Sequence, residues 1–163
     1  MKILHVILPE RIDNHYPGHW FALWLFYPIT LMNLTIALIA IFARDGGAQS
    51  ADGIPLDTYV AGGAKAVIAV IAYLGLAKLL LALLFVLALI RYRAMIPLLY
   101  LWLVVDYLGH KGIGYLKPIA RTGTRSGGLV TLTLFALSIV GLVLSLQGGD
   151  HLPERESEDV VKR

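Results

Sequence analysis

Three apolar blocks, residues 20–43, 66–90 and 128–147, constrain this chain more than any other feature of it. Each reaches the length of about 17–25 residues that a helix needs to cross the hydrocarbon of a bilayer. A fourth block, residues 94–109, is slightly short and carries Asp106. In lipid every backbone N–H and C=O must be bonded within the chain, so blocks of this kind become helices. The expected fold is an all-α integral membrane protein, a four-transmembrane-helix antiparallel bundle with spans near 20–43, 66–90, 94–110 and 128–147. An interfacial segment, 1–19, would precede the membrane domain of 20–147, and a charged flexible tail, 148–163, would follow it.

Composition agrees with that class. Apolar residues make up 58% of the 163 and charged residues 15%, against about 25% charged in ordinary soluble domains. The length suits a single domain. Residues 1–19 contain acids and prolines and the apolar run after them is too long for a signal-peptide core, so the first span is expected to be retained.

Lys78 stands inside the second block, in LGLAKLLLALL, and Asp106 inside the fourth. A lone charge at that depth costs on the order of 3 kcal/mol or more. Lys78 lies fourteen residues before Tyr92 and Asp106 fourteen after it. If Arg91-Tyr92-Arg93 is a tight turn between antiparallel helices, both sit about 21 Å from it, at one depth. An ion pair, or a hydrogen bond between neutral forms, would then answer each with the other. By the same rise Asn33 in the first span and Ser138 in the fourth fall near that level, at about 20 and 15 Å from the ends where they are counted.

Each helix also carries a stripe of small or polar residues. It runs through Thr30, Asn33, Ala37 and Ala40 in the first span and Ala72, Gly75, Lys78 and Ala82 in the second. Thr131, Ser138 and Ser145 form it in the fourth, with Gly141 beside them. Small residues let membrane helices approach closely and polar ones join them. A central layer of Lys78, Asp106, Asn33 and Ser138 is therefore expected. It could hold the helices in register, relay protons or ions, or bind a polar head group.

Other constellations are weaker. His15 and His19 have the i, i+4 spacing of metal ligands, but Pro17 and Gly18 between them oppose a helix. With His15, Tyr16 and Trp20 they suit an interfacial belt. Asp45, Asp52 and Asp57 lack the alternate-position carboxylates of a calcium loop. Asp52-Gly53 reads as a turn, and Asp57 or Thr58 as the N-cap of the second span. His110 and Lys111 read as closing the third span against its C-terminal dipole. With no cysteine, thiolate metal sites and cysteine nucleophiles are excluded. The Gly-rich basic stretch after Gly109 lacks the phosphate-loop pattern, and neither the zinc-protease helix nor the nucleophile elbow occurs. No catalytic residue, metal or cofactor is expected.

Net charge is +3, with one cation and three acids in residues 44–57 but Lys111, Lys117, Arg121 and Arg125 in 109–127. Those four, with Arg91 and Arg93, are expected to meet anionic lipid head groups rather than nucleic acid. The positive-inside rule nearly ties. Lys2, Arg11, Arg91, Arg93, Arg155, Lys162 and Arg163 share one side, and Arg44, Lys65 and the four loop cations the other. A three-span arrangement with 94–109 in the interface would gather the basic loops together but strand Lys78. Four spans with both termini cytoplasmic is the expectation.

The phrases SADGIPLDTY (50–59), RYRAMIPL (91–98) and PIARTGT (118–124), with the four blocks, resemble a family of small uncharacterised four-span proteobacterial membrane proteins. The resemblance covers most of the chain after about residue 9 and implies the topology and a bacterial inner membrane. It implies no active site. The functional expectation is a non-catalytic accessory or structural subunit of a membrane complex or homo-oligomer. A small transporter or ion-conducting oligomer using the Lys78–Asp106 layer is the alternative.

Overall fold

A computed structural model describes residues 2–9, 11–122 and 126–147. The expected tail and Arg125 lie outside the described residues. Among the described residues all regular structure is helical: α1 (Lys2–Ile7), α2 (Trp20–Phe42), α3 (Ala61–Arg91), α4 (Ile96–Leu116) and α5 (Ser126–Gln147). Two short 3-10 turns, Leu56–Thr58 and Arg93–Met95, lie in the connections.

The element boundaries have local causes. His19 caps α2 with its own side chain, Nδ1 accepting the Phe21 amide at 3.2 Å, which satisfies one of the free N–H groups of the first turn. The helix assignment continues through Pro28. It stops before Gly46 and Gly47, whose φ of 62° and 82° lie in the left-handed region that glycine enters without cost. Pro97 sits in the first turn of α4, where its missing N–H leaves no bond unmade.

The helices run antiparallel in three close contacts and one loose one. α2 packs against both α3 and α5, and α5 packs against α4, while α3 and α4 approach each other little although they are neighbours in sequence. α2 is therefore the central helix. Its buried residues Ala22, Phe26, Ile29, Thr30, Asn33 and Ala37 recur at three and four, the spacing of one helix face. Gly75 of α3 meets that face. A Cβ there would lie 2.8 Å from Ala40 Cβ and 3.3 Å from the Ala37 carbonyl, so only glycine allows this approach. On the far side Gly141 of α5 accepts the Tyr100 ring where a Cβ would overlap it.

Each end of the bundle is tied by hydrogen bonds. At one end the N-terminal segment folds back: Tyr16 Oη and Ser145 Oγ are 2.7 Å apart. The His19 amide donates to the Leu144 carbonyl and the Ala94 amide to that of Asp13, each at 3.3 Å. At the other end residues 43–60 meet the segment leading into α5. Thr122 N donates to Gly53 O at 2.9 Å and Gly127 N to Ala51 O at 3.0 Å. Below this loop a second small core forms, with Ala48, Ile54 and Leu56 buried against Ala64, Val67, Ile68 and Ile71.

That second core corrects two expectations. α3 begins at Ala61, not residue 66, because its first turns have the loop to pack on. Its N-cap is Val60 without a side-chain bond, not Asp57 or Thr58. Those two lie in a 3-10 turn, where Thr58 Oγ1 donates to Pro55 O at 2.8 Å. α4 also departs from 94–110. Ala94 belongs to the 3-10 turn before it, and the helix runs on to Leu116.

Three helices are long and apolar enough to cross a membrane: α2, α3 and Gly127–Gln147 of α5. α4 has 21 residues, but Asp106, His110, Lys111 and three glycines keep it outside that group. An all-helical chain with three membrane-spanning candidates is the architecture. Its polar helix carries the site.

Candidate functional site

The expected pair is in place. Lys78 Nζ lies 3.8 Å from Asp106 Oδ2, with 34% and 26% of the two side chains exposed. It is the long lysine stem that bridges the gap between the loosely associated α3 and α4. A third member was not expected: His110 Nδ1 lies 3.3 Å from Asp106 Oδ1 and 2.9 Å from the Asp106 carbonyl. From the sequence, His110 is expected at a helix end. Because α4 continues past it, His110 instead lies one turn above Asp106 on the same face. The i, i+4 spacing was the available signal, hidden by a span expected to close there.

The other two expected members, Asn33 and Ser138, make their hydrogen bonds within their own helices. Asn33 is buried, its Nδ2 donating to Ile29 O at 2.9 Å. Tyr107, adjacent to Asp106 in sequence, is buried with its ring edge-on to Phe135 at 6.1 Å between centroids. Ser138 is fully buried, but its hydroxyl donates to Leu134 O at 2.8 Å within its own helix. Back-bonding of this kind satisfies the hydroxyl without joining a neighbour. Thr30 Oγ1, one turn from Asn33, is buried without a hydrogen-bond partner.

Toward the N-terminal end the interior is closed by rings. Phe26 meets Phe85 at a tilt, 5.4 Å between centroids, and Tyr100 edge-to-face at 5.0 Å, and all three are fully buried. The Tyr100 hydroxyl donates to the Ala22 carbonyl at 2.8 Å. The polar cluster is open on its α3–α4 side and floored by this aromatic layer.

The cations expected at head groups fall at both ends. Arg91 is exposed, while Arg93 is half-buried with Nε donating to Leu89 O at 3.1 Å. Lys111, Lys117 and Arg121 are exposed at the loop end. They belong to a continuous exposed stretch, residues 108–122.

His15 is exposed, its amide donating to Asp13 Oδ1, and His19 is the α2 cap. Asp45 accepts the amides of Gly47, Gln49 and Ser50 at 3.0, 3.1 and 2.7 Å. Those bonds, chiefly the one from Ser50, hold its carboxyl at about 2, below the ordinary carboxylate range. Asp57 accepts from the Gln49 amide nitrogen at 3.4 Å. At the opposite end burial pushes the Tyr16 phenol up to about 12, outweighing its bond with Ser145.

Comparison with protein-family models, with curated proteins and with solved structures returns no match for this chain.

Proposed function

We propose that this chain is a non-catalytic, four-span protein of a bacterial inner membrane that serves as an accessory or structural subunit, within a larger complex or as a homo-oligomer. One observation carries the reading. Only 28%, 17% and 22% of the most apolar stretches of α2, α3 and α5 are buried within the chain. Most residues of those stretches are therefore not enclosed by the chain itself and are open to lipid or to other helices. α4 is read as the fourth span, because the paired charges lower the cost of carrying Asp106 into lipid.

A second reading, a small transporter or proton-conducting oligomer, is favoured by the Lys78–Asp106–His110 cluster. The buried Phe26, Phe85 and Tyr100 rings weigh against it, since they fill the route from that cluster to the N-terminal end. Neither reading calls for a cofactor, a metal or nucleic acid.

Affinity capture of the tagged chain from native membranes in mild detergent tests the first reading. A stoichiometric partner, or a defined oligomer of the chain alone, is the expected result; a partnerless monomer would sink it. Reconstituted liposomes should show no proton flux above protein-free vesicles, and flux abolished by Asp106→Asn would establish the transport reading instead. Single cysteines at Ser50, Tyr92 and Ser126, in a chain with none of its own, should label from outside, inside and outside. Tyr92 and Ser126 labelling from the same side would remove α4 from the membrane.

A further inference from the structure

We propose that the cleft between α3 and α4 binds the anionic head group of a membrane phospholipid, with Lys78 as the contact to its phosphate and His110 holding the Asp106 carboxylate to one side. The inference rests on the reading that both helices lie in a bilayer.

The argument starts from donors without adequate acceptors. A lysine ammonium carries three N–H donors. Its contact with Asp106, at 3.8 Å, is longer than the about 2.7–2.9 Å of a charge-assisted hydrogen bond. His110 Nδ1 stands 3.3 Å from the other carboxylate oxygen, one turn along α4, while its hydrogen bond goes to the Asp106 carbonyl at 2.9 Å. Lys78 is therefore only partly answered, and a third of its side chain opens onto the cleft. Apolar surroundings would leave those donors unsatisfied, which membrane proteins avoid. A phosphate ester offers several acceptor oxygens and one negative charge to an ammonium.

Charge favours an anion. Lys111, Lys117 and Arg121 follow along the chain from the cluster toward the loop end, and residues 107–122 contain no acid. Asp106 is about 15 Å from the end of α4 and His110 about 9 Å, so the cations rise from the cleft toward head-group depth. Gly109, between Asp106 and His110 in sequence, has nothing within 4 Å of where a Cβ would be, which leaves room beside them.

Apolar surface favours a lipid over a free ion. Leu74, one turn from Lys78, is 61% exposed, and Trp102, one turn from Asp106, is 57% exposed. Acyl chains running from the head group toward the bilayer centre would pass the exposed Trp102. Basic pockets between membrane helices are a recurrent mode of anionic lipid recognition.

The test is native mass spectrometry of the protein released from vesicles of equal parts phosphatidylglycerol, phosphatidylethanolamine and phosphatidylcholine. Wild type should retain phosphatidylglycerol selectively. The double variant Lys78→Gln/Asp106→Asn strands no charge and should lose that selectivity at least about tenfold, the effect of one charge-assisted contact. Lys78→Arg should keep it, which a purely structural role for the pair would not require. Lys111→Gln/Lys117→Gln should change it less than the cleft variant. Retention unchanged in the cleft variant, or adducts with inorganic phosphate but no lipid preference, would overturn the proposal. Cysteine labelling reads the membrane topology independently, so a failure there is distinguishable from a failure of lipid binding.

Discussion

The two halves of α4 obey different physics. From Ile96 to Tyr107 the helix is embedded, with Ile96, Pro97, Leu99, Tyr100, Leu103 and Tyr107 buried. From Leu108 to Leu116 every residue is exposed, including Ile113, Tyr115 and Leu116. The changeover falls at Asp106 and Tyr107, where Lys78 and His110 meet the Asp106 carboxylate. The first half is helical because neighbours complement it. The second is helical by continuation alone, and its glycines lower its propensity further. Exposed and basic, it belongs to whatever surrounds the chain rather than to the chain's own core.

The largest effect should come from the embedded half. Gly141→Ala places a methyl where the buried Tyr100 ring lies, and over-packing of that kind costs about 3 kcal/mol. Chemical unfolding in detergent micelles should show the loss. A midpoint within error of wild type would mean that the two helices do not pack as described.

Breaking the boundary should cost less. Lys78→Met leaves Asp106 with His110 alone, and about 2 kcal/mol is expected, below the figure for a fully buried pair because both groups are partly exposed. Lys78→Met/Asp106→Asn should recover most of it, so the same unfolding measurement in a double-mutant cycle isolates the coupling. Additive losses would show that the two side chains act separately.

A smaller effect is expected in the loop that shares an end with the free half of α4. Asp45→Asn weakens three bonds to backbone amides, a loss of about 1 kcal/mol by comparison with helix caps. The wild-type carboxyl is held near 2 against an ordinary 3.8. It therefore stabilises the loop fully above pH 4, and that contribution fades as pH falls through about 2. Amide protection factors at Gly47, Gln49 and Ser50, which correct for the intrinsic pH dependence of exchange, should fall over this window in wild type but not in Asp45→Asn.

The smallest effect should be in the free half itself. Gly112→Ala and Gly114→Ala meet nothing within 4 Å, so each should add only helix propensity, about 0.5–1 kcal/mol local to that turn. Exchange in residues 108–116 should slow while the unfolding midpoint stays fixed. A shift of the midpoint comparable to that of Gly141→Ala would show that this half packs after all.

The sequence by itself determined the helical class, the three helices apolar enough to cross a membrane and the level pairing of Lys78 with Asp106. The fourth expected span, α4, falls outside that apolar group. Apolar length and a fixed rise per residue are local quantities, and equal spacing about one turn needs no knowledge of the other helices. The same local reasoning marked Gly75, Gly141 and the buried faces around Asn33 and Ser138, because small residues recur at helical spacing. Tertiary structure alone decided how far each helix runs. α3 starts early because a folded loop covers its first turns, and α4 outlasts its apolar block, which brings His110 onto Asp106. It also decided that Ser138 bonds within its own helix while the Tyr107 ring packs on Phe135, and that the α3–α4 contact stays open. Those outcomes depend on which surfaces meet, and the same stripe of residues can fit more than one neighbour until packing selects among them.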